Sequence, residues 1–401
     1  MDRISQRSLN AFQSPIRKLS VFANETKANG VKIYHLNIGQ PDVPSPIFPG
    51  SVLNEWTLDH LPYGKSEGED KVRKKFKHYY NAWGIDLEEE DILVTTGASE
   101  ALLLTLYAIL DPGDELIVQE PFYANYNGIS KMAGVNIKPI YTPFEEGYPV
   151  PDVNLFEEVV TDKTRALLLC NPNNPTGKVY SRKMLVELAE LILKYDLYLI
   201  VDEVYREFVY DEEFFSVLQM EHIRERVIVL DSISKRYNAC GARVGCIVSH
   251  NRLVQEQILK FAQLRLSPPM LAQEFAERAI NPPKEYTDEI LSIYRERRDY
   301  VISRLEKIPG VTINKPEGAF YIFARFPVEN SEHFCKWLLT DFRAENQTVM
   351  LAPGNGFYNT PGLGVNEVRI AYVLELEQLK VAMDCLEKAL VTYPLSAIPV
   401  R

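Results

Sequence analysis

The chain reads as an α/β protein. The expected form is a large domain with a mostly parallel seven-stranded sheet flanked by helices, plus a smaller α+β domain. Two observations predict this. Short apolar runs alternate with helix-patterned segments through the middle of the sequence; after Pro282-Pro283 that rhythm yields to one long helical pattern and then to shorter mixed elements. At 401 residues, 46% hydrophobic and 25% charged, the chain is long enough for two domains with substantial cores.

The candidate strands are residues 92–95, 115–118, 137–140, 166–169, 198–201, 227–230 and 244–248, each a run of four or five mostly apolar residues. Between them, 99–110 and 181–195 carry helical periodicity, the latter with Leu185, Leu188, Leu191 and Ile192 on one face. The strongest apolar stretch, 101–110, is short, contains Thr105 and follows Glu100, so it reads as a buried amphipathic helix and not a membrane span. Residues 284–307 put Ile290, Tyr294, Val301 and Leu305 on one face of a long helix that stops before Pro309-Gly310. Strand patterns at 311–313 and 319–324 follow, then further helix.

A net charge of −11 gives no overall pull toward nucleic acid or an anionic membrane. Five scattered cysteines without CxxC spacing argue against a disulfide framework or zinc ribbon and for a reduced compartment. The first 20 residues contain Arg3, Arg7, Arg17 and Lys18 but no continuous apolar core, so they do not form a signal peptide. These features place the protein in the cytoplasm.

Lys235 follows two small hydroxyl residues, Ser232 and Ser234, at the end of the apolar run 227–230, and Arg243 comes eight positions later. A strand-to-helix loop exposes such a lysine and backs it with a fixed cation. That suits an amine forming a Schiff base with a phosphorylated aldehyde, with Ser232, Ser234 and Arg243 holding the phosphate. The alternative is a solvated turn with ordinary surface charges. Upstream, the apolar run 199–201 ends in Asp202 with Tyr205 three residues on, and the turn 171–177 contains Asn174-Pro175-Thr176-Gly177.

The order of these motifs, each at a strand end, resembles the class I/II aminotransferases, pyridoxal-phosphate-dependent enzymes of fold type I related to aspartate aminotransferase. The resemblance runs from about Leu36 to Val373. It implies pyridoxal 5'-phosphate bound covalently to Lys235, and a carboxylate, Asp202, beside the ring nitrogen to favour the pyridinium. Read without the resemblance, Asp202 is also a helix N-cap. Tyr205 and Asn174 match residues that reach the phenolic oxygen. Gly97, Ala98 and Ser99 open a helix after a strand, where free N–H groups attract phosphate; Ser99 is equally an ordinary N-cap. Tyr123 matches the aromatic ring stacked on the cofactor, its neighbours Phe122 and Tyr126 being candidates for core. Tyr63 matches a tyrosine that reaches the phosphate from the partner subunit, which implies a homodimer with shared sites; the alternative is packing beside its own turn. The resemblance also implies a discontinuous small domain, with residues 1–45 and 284–401 flanking a cofactor-binding domain at 46–283.

For substrate, the resemblance implies that Arg369, set between apolar residues, binds the α-carboxylate with its guanidinium fork, with Gly39 against the same end. A buried salt bridge and a simple turn are the structural alternatives. Arg265 lies where some relatives place an arginine that reaches the substrate from the partner subunit, though its register to the prolines is shorter. It reads two ways: as a ligand for a second, side-chain carboxylate, or as a structural loop charge. The former favours an aspartate-like donor with 2-oxoglutarate as acceptor, while Tyr123, Tyr126, Phe320 and Tyr321 suit aromatic or aliphatic side chains. Rival classes are weaker. Gly64-Lys65-Ser66 resembles the end of a phosphate-binding loop, but Asp59 stands where its first glycine belongs; no GxGxxG and no HxxxH occur. A carbon–sulfur β-lyase of the same fold shares the cofactor residues, and a non-enzymatic regulator lacks room for a DNA-binding domain before Leu36.

Overall fold

The computed structural model describes residues 4–9, 14, 17–54 and 60–394; Arg3 and Asp59, used above, lie outside them. Thirteen strands occur among the described residues: β1 Lys32–His35, β2 Ile92–Thr95, β3 Glu115–Glu120, β4 Asn136–Tyr141, β5 Thr164–Cys170, β6 Tyr198–Asp202, β7 Val227–Ser232, β8 Gly245–Val248, β9 Thr312–Ile313, β10 Tyr321–Arg325, β11 Gln347–Met350, β12 Ala352–Pro353 and β13 Glu367–Ala371. Seven of them form one sheet in the order β2-β8-β7-β6-β5-β3-β4. Only β8 runs against its neighbours, antiparallel to both β2 and β7, while β7, β6, β5, β3 and β4 are parallel. The sheet is therefore the mostly parallel one expected.

Alternate residues serve opposite faces, the period-two geometry of a strand. Ala166 and Leu168 of β5, Ile200 of β6 and Ile228 and Leu230 of β7 join one core. Leu167 and Leu169, Leu199 and Val201, and Val227 and Val229 join the other. Both faces are apolar because helices cover both. The helix Arg182–Lys194 buries Leu185, Leu188, Leu191 and Ile192 in the second core, with the Ser181 side chain accepting from Met184 N as its N-cap. The helix Ala98–Ile109 packs into the first.

Several strands run further than their apolar stretches. Glu120, Cys170, Asp202 and Ser232 are last rungs of the sheet; backbone pairing holds a polar residue there as readily as an apolar one. Conversely, the stretch 319–324 starts its strand only at Tyr321, because Ala319 has φ +57° and cannot enter a ladder. The strand read at 244–248 begins at Gly245, after Arg243 takes a left-handed φ of +56°.

Helix Lys284–Leu305 buries Ile290, Tyr294, Val301 and Leu305 as its periodicity predicts. Beyond it, β12-β13-β10-β9 form a second, antiparallel sheet, and β1 pairs in parallel with β11. Pairing of an early strand with a late one supports the proposed division into a unit of residues 46–283 and a discontinuous one of 1–45 and 284–401. Among the described residues no helix is long and apolar enough to cross a membrane.

Candidate active site

In an open α/β sheet the carboxyl ends of parallel strands present loops and helix starts to one crevice. Here Asp202 ends β6, Ser232 ends β7, Asn174 follows β5, Tyr123 follows β3, and Gly97 follows β2. Since β8 runs the other way, the residues entering it, Arg243 among them, reach the same edge. Of the site residues singled out from sequence, all but Gly97, Tyr63, Tyr126, Arg265 and Phe320 line one cavity of about 530 Å³.

Lys235 sits on a single helical turn, Ile233–Arg236, which the Ser232 side chain caps by accepting from Ser234 N at 3.1 Å. Ser232 Oγ also donates to Val244 O at 2.9 Å, tying the turn to the chain entering β8. Lys235 Nζ points into the cavity and donates to Gly39 O at 2.7 Å. Gly39 has to be glycine, since a Cβ there would overlap the Tyr321 ring and hydroxyl.

The next residue points the other way. Arg236 pairs with Asp231, whose carboxylate also accepts from Tyr80 OH at 2.9 Å and Ser232 N at 2.7 Å. Arg206 donates to Tyr80 OH at 3.1 Å and pairs with Glu203 at 2.6 Å. All four charged groups are buried. Burial alone would raise Asp231, but Arg236 and Arg206 hold it below the usual carboxylate range. This knot joins the end of β6 to the lysine turn, so Lys235 and Asp202 are held by one rigid foundation; removing any partner leaves an uncompensated buried charge.

Asp202 is buried and accepts from Tyr126 OH at 2.8 Å and, more weakly, from Val204 N at 3.4 Å. Burial pushes its carboxyl up to about 6, against the pull of those two donors. Tyr126 was a candidate for core in the sequence; it is buried, and its hydroxyl also serves Asp202. Tyr205 OH lies 2.9 Å from Tyr321 OH and 3.4 Å from Asn174 Nδ2.

Arg243 donates to Thr96 O at 3.1 Å and Cys240 O at 3.0 Å. Gly97, with φ +89°, lies behind it, where a Cβ would collide with the guanidinium. The helix Ala98–Ile109 has no side-chain N-cap, so its first N–H groups are open to an anion.

Arg369, in β13, is 1% exposed. It donates to Asn174 Oδ1 at 2.9 Å and Asn37 O at 2.7 Å and lies over the Tyr321 ring at 4.3 Å. Its Nε has no partner, and no carboxylate of the described residues pairs with it. The buried-salt-bridge alternative therefore falls. A desolvated guanidinium without an acid is a place for a ligand carboxylate.

Two residues stand elsewhere. Tyr63 is 81% exposed, not packed beside its own turn. Arg265 donates to Val94 O at 2.7 Å and Ser66 O at 3.2 Å and pairs with Glu100 at 3.2 Å. Within its own chain those contacts make Arg265 a loop charge that ties two segments together; its reading as a side-chain-carboxylate ligand concerns the cavity of the partner subunit. The cavity lining instead includes Ser14 and Arg17 from the N-terminal segment. The sequence offered no signal for these two, because nothing local marks a turn that crosses a distant cleft.

A sheet edge that gathers a lysine, a buried aspartate and a carboxylate-free arginine defines a class of enzyme that handles amino acids. The comparisons name the family. Residues 59–386 match the model described as aminotransferase class I and II. An aspartate aminotransferase from Pyrococcus horikoshii is 31% identical over 399 residues, covering 96% of this chain and 97% of that protein. Among solved structures, the alanine aminotransferase from Pyrococcus furiosus aligns with a TM-score of 0.85 at 33% identity, covering 97% of this chain and 100% of the other. The aspartate aminotransferase from Thermotoga maritima gives 0.88 at 29%, with the same coverage. The chain belongs to the class I and II aminotransferases, and it is an aminotransferase.

Proposed function

We propose that this aminotransferase works with pyridoxal phosphate and moves the amino group of an aspartate-like L-amino acid to a 2-oxo acid such as 2-oxoglutarate. The observation that carries the reading is Arg369, a buried guanidinium without an acid, in one cavity with Lys235 and Asp202. The donor set fits the cofactor: an amine without a carboxylate partner, a carboxylate at the cavity wall, and open helix N–H groups beside Ser232, Ser234 and Arg243. When bound, pyridoxal phosphate supplies an aldehyde that condenses with amines and a ring that withdraws electrons from the substrate α-carbon.

The protein does the rest. Lys235 would hold the cofactor, and its free amine would take up and return the proton of the substrate α-carbon. Asp202, steadied by Tyr126, would pair with the ring nitrogen. Tyr205 and Asn174 would donate to the phenolic oxygen, and Tyr123 would pack on the ring. Arg243, Ser232, Ser234 and the helix start at Ala98 and Ser99 hold the phosphate, with Gly97 letting Arg243 approach. Arg369, with Gly39 alongside, takes the α-carboxylate. One such guanidinium serves donor and acceptor, which supports their binding in turn and ping-pong kinetics. Five free cysteines are compatible with a reduced cytoplasm. Wild-type protein with pyridoxal phosphate is expected to convert 2-oxoglutarate to glutamate at the expense of aspartate, with parallel double-reciprocal lines. Release of ammonia in place of an amino acid product, or of sulfide when cysteine replaces aspartate, would overturn this reading.

We also propose a homodimer. Tyr63 lies on an exposed apolar surface with Leu61, Leu264 and Leu266, and the two loops are joined by bonds from Ser66 Oγ to Leu266 O and from Gly64 N to Ser267 Oγ. Such a patch favours cover by a second copy. Mixing Lys235→Ala with Tyr63→Ala chains is expected to regenerate activity above the sum of the parents, since one site of each mixed dimer has both residues. No gain after confirmed subunit exchange would mean Tyr63 acts in its own chain or not at all.

A further inference from the structure

The cavity holds one more cation than the proposed chemistry uses. Its lining carries Arg17, Lys235, Arg243 and Arg369 against a single carboxylate, Asp202. Arg243 answers a phosphate, Lys235 an aldehyde and Arg369 an α-carboxylate. Arg17 remains, and no acid of the described residues pairs with it. Arg17 is exposed, yet it lines the cavity, in a segment whose next residues are anchored. The adjacent Lys18 pairs with Glu332 at 2.5 Å, and Thr26 Oγ1 donates to Leu339 O at 2.5 Å. The N-terminal segment is thus pinned to the helix Ser331–Thr340, Lys18 turned toward that helix and Arg17 toward the cavity beside Gln40. Arg265, the arginine that the sequence offered for this purpose, is committed to Glu100 and two carbonyls.

We infer that Arg17 reads the distal carboxylate of a dicarboxylic substrate, making it the specificity-determining residue of the site. The inference rests on the function proposed above. A guanidinium fork donates bidentately to that carboxylate and leaves a neutral side chain without a partner, so it acts on the ratio of donors and not on the chemistry itself.

The test compares kcat/KM for aspartate and alanine in the holoenzyme, with equilibrium binding of the unreactive succinate and propionate read from the cofactor's absorbance. In Arg17→Gln the aspartate-to-alanine ratio is expected to fall about ten- to hundredfold, the size of a lost charged hydrogen bond, with a matching loss of succinate over propionate. Arg17→Lys should fall between, and Arg265→Gln should leave both ratios unchanged. An equal loss for both donors in Arg17→Gln, or no change in either ratio, overturns the inference. So does a wild type without dicarboxylate preference. A wild type inactive with every donor would instead overturn the functional reading on which it rests.

Discussion

Replacing Lys235 with alanine is expected to abolish the visible absorbance of the lysine-bound cofactor and lower turnover by about 10⁴-fold or more. Lys235 has two proposed tasks, holding the cofactor and moving the α-proton, and proton transfer by a positioned side chain alone is worth about 10²–10⁴-fold. The fold should survive. Among the described residues Nζ makes one conventional hydrogen bond, to Gly39 O, whereas the turn is held by Ser232 and by the Asp231–Arg236 pair. Far-ultraviolet circular dichroism and the melting temperature of the cofactor-free protein are therefore expected to match wild type. Retention of the absorbance, or turnover within tenfold of wild type, would sink the assignment.

The second large effect concerns Asp202. Asp202→Ala should weaken cofactor binding and cut the proton-transfer rate by about 10²–10³-fold, the scale for removing one preorganised electrostatic group. Asp202→Asn permits a sharper test. In the cofactor-free protein burial raises this carboxyl to about 6, so its protonated form is favoured. The stability that this contributes is full below the ordinary carboxylate value of about 4 and is lost as pH rises through about 6, roughly 3 kcal/mol over that window. Wild type, but not Asp202→Asn, should lose that much between pH 4 and 6 in denaturant titrations. The difference between the two proteins is the quantity to read, because Glu203, raised to about 7 by burial, titrates in both. Binding runs the opposite way. A pyridinium needs the ionised carboxylate, so wild-type affinity for pyridoxal phosphate should fall as pH drops below about 6. If Asp202→Asn shows the same fall, the carboxylate is not the ring's partner.

Much of the site was legible because its groups sit at ends of apolar runs. Lys235, Asp202, Asn174 and Ser99 each follow a strand that four or five hydrophobic residues announce, and strand ends of a parallel sheet converge. What local pattern could not supply was the second partner of each group. Tyr126 reads as one more aromatic near Phe122, and only the tertiary fold brings its hydroxyl to Asp202 at the end of β6. Arg265 shows the converse. An arginine before two prolines shows nothing of its contacts in the sequence, and only the fold packs its segment against β2 and the chain near Ser66, with Glu100 and two carbonyls as its partners within the chain.

By itself the sequence determined the layered α/β fold, the seven strands of the large sheet and the place of the lysine turn at a strand end, because hydrophobic periodicity and residue type are local properties. The tertiary structure alone decided which charges are spent and which are free. Arg236, Arg206, Asp231 and Glu203 neutralise one another beneath the turn, although they come from segments about 30 residues apart. Arg369 and Arg17 reach the cavity with no acid beside them, one from a late strand and one from the amino-terminal segment. A charge is satisfied by whatever lies within a few ångströms and costs dearly if buried without it. That distance is set by folding, not by position along the chain.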